Sequence, residues 1–308
     1  MTDLHLKAAI GSYGHTAALK DHRIQPAGVE FEFVEVSPLN AAFRRMVRDL
    51  EFDVSEMAVT TYLVAKEHGS PFTALPIFPF RSFPHGAIVV NDQAGVREPA
   101  DLAGKKVGVR AYTVTTGVWA RGILARQYGL DPDKVTWVVV DQEHVREYRL
   151  PANVEAAPAG ANLADLLTRG EIAAGIGLGR VEAPHVRPLI ADVAAAERAW
   201  LASSGAYPIN HTIVVKDALL AAHPDLAQRL YDAFQAAKQQ FMQHLDSGEL
   251  SGDDAALARR RAIVGADPIP YGLEPNRRTL ETLIAIARDQ HIVSRPVALD
   301  ALFFPVAG

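Results

Sequence analysis

Leu4, Leu6 and Ala8 interleave with His5 and Lys7, the period-2 pattern of a half-buried strand, and predict a strand over residues 4–10. Similar patterns predict strands at 29–36, 52–54, 72–76, 86–90, 107–109, 135–140, 173–176 and 212–215. Between them lie helix-like runs at 39–49, 115–128 and 163–169, and one that opens at Ser55 and runs to Lys66. Pro/Ala/Gly-rich stretches at 151–162 and 181–192 read as loops. Beyond residue 216 the period changes. Leu226, Leu230, Phe234, Ala237, Phe241 and Leu245 recur at spacings of three and four, one apolar stripe behind a first-turn Pro224. Two more helices are predicted at 253–264 and 275–290.

Strands alternating with helices make this an α/β chain. The runs Gly86-Ala-Ile-Val-Val-Asn91 and His211-Thr-Ile-Val-Val-Lys216 resemble each other and bracket a segment with its own alternation. The expected architecture is two-lobed. Residues 1–90 and 211–308 form one lobe, 91–210 an inserted second, joined by two crossover strands, with an interlobe cleft as the ligand site. One continuous sheet without a cleft is the alternative.

Composition narrows the chemistry. Of 308 residues 49% are hydrophobic, enough for a large core without staples. Lys and Arg total 31 against 36 Asp and Glu, a net charge of -5, so no nucleic-acid partner is expected. The absence of cysteine removes thiolate nucleophiles, cysteine zinc sites and iron–sulfur ligation. No apolar run approaches the roughly 20 residues of a membrane span, and residues 4–10 alternate where a signal peptide would be continuously apolar. The expectation is a cytoplasmic protein with no membrane partner. A second copy of the chain is left open as a partner.

Several polar groups stand at predicted strand ends. Arg110-Ala-Tyr-Thr-Val-Thr-Thr-Gly117 runs from a strand into a helix start, where open α/β sheets bind ligands. Arg110, Tyr112, Thr113, Thr115 and Thr116 are candidates for holding an anion, with the helix dipole assisting. Glu56, read in a first helical turn, is either dipole complement or a buried proton donor. Arg81 and His85 share a Pro-bounded loop, a second carboxylate anchor and a candidate acid or base. Asn210 and His211 precede the returning strand. Tyr13, His15 and Tyr271 are further candidates for the site wall. No dinucleotide loop, phosphate loop, nucleophile elbow or His-Glu-x-x-His motif occurs. A metal held by His85, His211 and Glu56 is left open.

The segments Phe52-Asp-Val-Ser-Glu-Met57, Leu75 to His85, Leu102-Ala-Gly-Lys-Lys-Val-Gly-Val-Arg110, the following Ala111 to Leu124, and Tyr207-Pro-Ile-Asn-His-Thr212 together resemble the 4,5-dihydroxyphthalate decarboxylase family. The resemblance covers nearly the whole chain and implies a type II periplasmic-binding-protein-like fold. It also implies decarboxylation of an aromatic diacid with no organic cofactor. The family's substrate carries a hydroxyl para to each carboxylate, so protonating the carboxylate-bearing ring carbon avoids an aryl carbanion. That route needs an anchor (Arg110 with the threonines, and Arg81) and acid–base groups, Glu56 with His85 or His211. The competing class is a binding protein for a small carboxylate, with the same lobes and no chemistry.

Overall fold

In the computed structural model, which describes residues 4–247 and 249–307, the strands are β1 (Leu4–Ala9), β2 (Val29–Phe33), β3 (Val54–Ala58), β4 (Phe72–Leu75), β5 (Ile88–Asn91), β6 (Lys106–Val109), β7 (Thr136–Val139), β8 (Val154–Ala156), β9 (Ala174–Ile176), β10 (Val186–Pro188) and β11 (His211–Lys216). The helices are α1 (Ala17–Lys20), α2 (Asn40–Asp49), α3 (Val59–Glu67), α4 (Thr115–Tyr128), α5 (Leu163–Thr168), α6 (Val193–Ser204), α7 (Asp217–Ala222), α8 (Leu226–Ser247), α9 (Gly252–Val264) and α10 (Arg277–Asp289). The chain divides into two compact units. The first comprises the residues up to Arg81, Ile209–Leu280 and the segment from Pro296; the second comprises Ser82–Pro208 and Glu281–Arg295.

The first unit is built on a mixed sheet of order β2-β1-β3-β11-β4, in which β11 runs antiparallel to both neighbours. Leu6, Ala8, Val54, Ile213 and Val215 form its core, covered by Leu226, Leu230, Phe234 and Ala237 of α8. The predicted stripe therefore buries the face it marks. Its last members, Phe241 and Leu245, turn to a separate cluster with Ile269.

One prediction fails here in a way that matters. The helix expected to open at Ser55 opens at Val59, and Ser55 and Glu56 lie inside β3. All five residues of β3 are buried, because β1 and β11 flank it and both faces are covered. A strand buried on both faces has no polar–apolar alternation to announce it. Its Ser-Glu pair imitates a helix start instead.

The second unit carries a sheet of order β10-β5-β9-β6-β7-β8. The three-residue strands β8 and β10 fall in segments read as loops; their residues are half-buried or exposed, so no apolar run marks them. The two similar runs end up as β5 in this sheet and β11 in the other, so they are not adjacent crossover strands as expected. The backbone pairing next to the junctions is instead a single antiparallel bridge between Arg81 and Ile209. Within this unit a Cβ on Gly122 of α4 would fall 2.5 Å from the Ile286 side chain of α10, so glycine permits the close helix contact. Among the described residues no helix is long and apolar enough to cross a membrane.

Candidate functional site

Adjacent strands bring the first pair of groups together. In the β3–β11 register Glu56 lies opposite Ile213, which makes His211 its diagonal neighbour, within reach of a long side chain. The Glu56 carboxylate is fully buried and has three donors. Oε1 accepts from His211 Nδ1 at 2.5 Å and from the Tyr13 hydroxyl at 2.7 Å, and Oε2 accepts the Gly11 N–H at 2.8 Å. Burial alone pushes the carboxyl pKa up, but His211 through its hydrogen bond and charge, then Tyr13 and Gly11, outweigh it and hold Glu56 below its ordinary value. The same burial, with the Glu56 charge, pushes the Tyr13 phenol far up, so Tyr13 remains a protonated donor. Gly11 makes the arrangement possible, since a Cβ there would sit 2.6 Å from the Tyr13 ring.

The rings extend outward from this pair. His211 meets Phe43 edge-on at 5.0 Å and Phe80 at 5.1 Å. Phe80 stacks on Tyr13 at 6.2 Å, Tyr13 on His15 at 5.1 Å with the rings 2° from parallel, and His15 tilts against Phe241 at 5.7 Å. Asn210 supports the entry of β11 through its backbone: its N–H donates to the Phe80 carbonyl, and its carbonyl accepts the Val59 N–H, both at 2.9 Å.

Beside this file of rings lies a cavity of about 310 Å³ whose wall includes Tyr13, His15, Phe80, Arg81, Asp254 and Arg260. Arg81 is buried and donates to Asn276 Oδ1 at 2.6 Å. Asn276 in turn donates to the carbonyls of Pro270 and Gly272 at 2.9 and 2.8 Å, which fastens Arg81 to the loop that carries Tyr271. Arg260 reaches in from α9 and donates to the Arg81 carbonyl at 2.5 Å. Tyr271 is buried beneath Lys238, whose Nζ stands 5.0 Å above the ring centre, and its hydroxyl has no hydrogen-bond partner among the described residues.

The remaining candidates sit in the second unit. Arg110 pairs with Asp141 at 2.8 Å. The N–H groups of Tyr112 and Thr113 donate to the Glu143 carboxylate at 2.6 and 3.1 Å, and the Thr113 hydroxyl donates to it as well. Tyr112 is buried, its hydroxyl donating to the Gln290 carbonyl at 3.2 Å. Thr115 and Thr116 open α4, whose cap position is Val114. His85 is fully buried, Nε2 against Gln127 Oε1 at 2.9 Å, and burial lowers its pKa against the opposing effect of that bond.

The first unit thus gathers Glu56, His211, Tyr13, His15 and Arg81, with Asn210 and Tyr271 against the same framework. Arg110, Tyr112, Thr113, Thr115, Thr116 and His85 belong to the second. Gly11, Phe43, Asn276 and Arg260 escaped the sequence reading. Gly11 looks like any glycine after a strand, and Arg260 lies inside an Arg-Arg-Arg run that reads as a solvated helix face. Among the described residues no group of three or more His, Asp or Glu side chains is placed to hold a metal ion.

Comparison with known proteins adds a lineage. The family described as NMT1/THI5 like matches residues 25–247. A protein of Comamonas testosteroni named 4,5-dihydroxyphthalate decarboxylase is 30% identical over 325 aligned positions, spanning 100% of this chain and 98% of that one. A Pseudomonas putida protein of the same name is 36% identical over 185 positions, 58% of this chain and 71% of its own. Among solved structures, the periplasmic aliphatic sulphonate-binding protein SsuA of Escherichia coli superposes with a TM-score of 0.57 at 15% identity, covering 98% of this chain and 97% of that one. The desulfurization enzyme DSZB superposes at 0.56 and 20% identity, covering 98% and 96%. The chain shares their fold.

Proposed function

The chain belongs to the NMT1/THI5-like family and, over its full length, to the family of the 4,5-dihydroxyphthalate decarboxylases, and from that membership we propose that it is a carboxy-lyase releasing CO2 from a hydroxylated aromatic dicarboxylate, 4,5-dihydroxyphthalate first among them. The observation that carries the proposal is the pairing of buried Glu56 with half-buried His211, in contact with Tyr13 and Phe80 of a cavity wall. Glu56 accepts from Nδ1 and so fixes the tautomer and orientation of His211, leaving Nε2 as the edge that exchanges protons. In the proposed step the His211 imidazolium protonates the ring carbon bearing the carboxylate, with electron density supplied from the para hydroxyl. The ring–carboxylate bond then breaks, its electron pair restores aromaticity, CO2 leaves, and neutral His211 regains a proton from solvent. One proton is consumed for each CO2 released. A positioned proton donor of this kind contributes about 10²–10⁴-fold. Arg81 and Arg260 supply positive charge on the cavity wall for the carboxylates. The step draws on no organic cofactor, because the phenol relays the electrons.

A second reading, binding without turnover, is favoured by the fold shared with sulfonate-binding proteins. Incubating the purified protein with 4,5-dihydroxyphthalate in D2O separates the two. Catalysis releases CO2 and places deuterium at the vacated ring carbon; saturable binding with no CO2 establishes the second reading in its place.

A further inference from the structure

Phe80 is an exposed ring on a fixed backbone. Among the described residues three large apolar side chains stay exposed, Phe80, Val140 and Leu150. Phe80 is the aromatic one, 37% exposed, and the one on the wall of the cavity of about 310 Å³. Its carbonyl accepts the N–H groups of Asn210 and His211 at 2.9 and 3.1 Å, and the next residue, Arg81, bridges to Ile209. The Phe80 ring lies 13° from parallel with Tyr13 at 6.2 Å, and its centre is 5.1 Å from that of the His211 imidazole. The other rings of the file are more covered: Phe43, His15 and Phe241 are buried, and Tyr13 and His211 half-buried. Phe80 therefore keeps the most open ring of the file, and it joins the cavity wall to the imidazole.

We infer that Phe80 is the platform on which the aromatic ring of the substrate stacks, and that it selects flat aromatic dicarboxylates over saturated ring dicarboxylates of equal charge. The inference rests on the decarboxylase reading for the class of its ligand and adds the residue that recognises the ring. Two kinds of recognition then share one cavity. Arg81 and Arg260 attract carboxylates whatever ring carries them, so they do not separate a benzene ring from a cyclohexane ring. A flat π face does, because an offset stack brings a whole aromatic ring into contact, whereas a puckered ring touches at a few hydrogens. Covering the exposed Phe80 ring also removes apolar area from water. Its pinned backbone and its contacts with Tyr13 and His211 orient the platform before a ligand arrives, which leaves little side-chain freedom to lose on binding. A ring stacked there lies next to the neighbour of Phe80 that carries the proton in the proposed step, His211.

The test is equilibrium binding of two probes, phthalate and cis-cyclohexane-1,2-dicarboxylate, to the wild-type protein, to Phe80→Leu and to Phe80→Tyr, in mildly alkaline buffer where both probes are dianions. The probes carry the same adjacent carboxylates and differ in the ring. Leucine keeps an apolar side chain and deletes the π face; tyrosine restores the face. In the wild type phthalate binds more tightly. In Phe80→Leu that preference falls about three- to tenfold, affinity for the saturated diacid staying within about twofold, and Phe80→Tyr keeps the preference. Should Phe80→Leu not fold, the wild type decides through nuclear Overhauser contacts between the phthalate ring protons and the Phe80 ring, present if the ring stacks there and absent if it does not. Equal affinity of the wild type for both probes, no binding of phthalate, an unchanged preference in Phe80→Leu, or a loss in Phe80→Tyr equal to that in Phe80→Leu overturns the inference. CO2 release from 4,5-dihydroxyphthalate with an unchanged preference in Phe80→Leu sinks the role of Phe80 and leaves the activity standing; a Phe80-dependent preference without CO2 release does the reverse.

Discussion

Acid should loosen the first unit through His15 well before it protonates the carboxylates. The folded imidazole is lowered to about 4 from an ordinary 6.5, burial being the largest cause. The sign follows from linkage. Between those two values the unfolded chain binds a proton that the folded chain refuses, so stability is fully present above pH 6.5 and is lost as pH falls toward 4. The gap corresponds to about 3 kcal/mol in full, of which about 2 kcal/mol is lost between pH 7 and pH 5. Glu56 does not interfere, because a carboxylate held below its ordinary value keeps its stabilising effect above about pH 4.3 and loses it only in stronger acid. His85 is also lowered, but it is common to wild type and variant and cancels in their difference. The assay is urea unfolding of wild type and His15→Phe at pH 7, 6 and 5, with histidine-selective NMR following the His15 ring directly. The variant should lose about 2 kcal/mol less than the wild type across that range. Parallel pH dependence of the two proteins, or a His15 resonance that titrates near 6.5, refutes the reasoning.

Three further outcomes follow from the same geometry. Glu56→Gln keeps an acceptor for Tyr13 but removes the charge against His211, and CO2 release should fall about a hundredfold or more while substrate affinity changes little; an unaltered turnover number contradicts the pair. Gly11→Ala drives a methyl to 2.6 Å from the Tyr13 ring, and forcing that hydroxyl off a charged acceptor should cost about 1.5–3 kcal/mol, read as a shift in the urea midpoint. Gly122→Ala overpacks α4 against Ile286 and should cost about 1–3 kcal/mol, relieved in the double variant with Ile286→Val; no relief would mean that the contact is not the source.

Much of this molecule is written locally. The alternation in β1 and the three-and-four stripe of α8 are properties of neighbouring residues, so they are visible before any folding is considered. The α/β class and the presence of two units follow from how those patterns are ordered. The site is another matter. Glu56 is met by Gly11, Tyr13 and His211, which lie 45, 43 and 155 positions away along the chain. No local pattern announces that β3 is covered on both faces, and so Glu56 passed for a helix-start residue. Arg81 and Asn276 are 195 positions apart and still share a hydrogen bond. Side-chain spacing encodes which face of an element is buried, because burial of apolar area is additive and short-ranged. Whether a buried acid is charged, and which edge of a histidine is free, depends on donors that arrive from distant segments only when the sheet assembles.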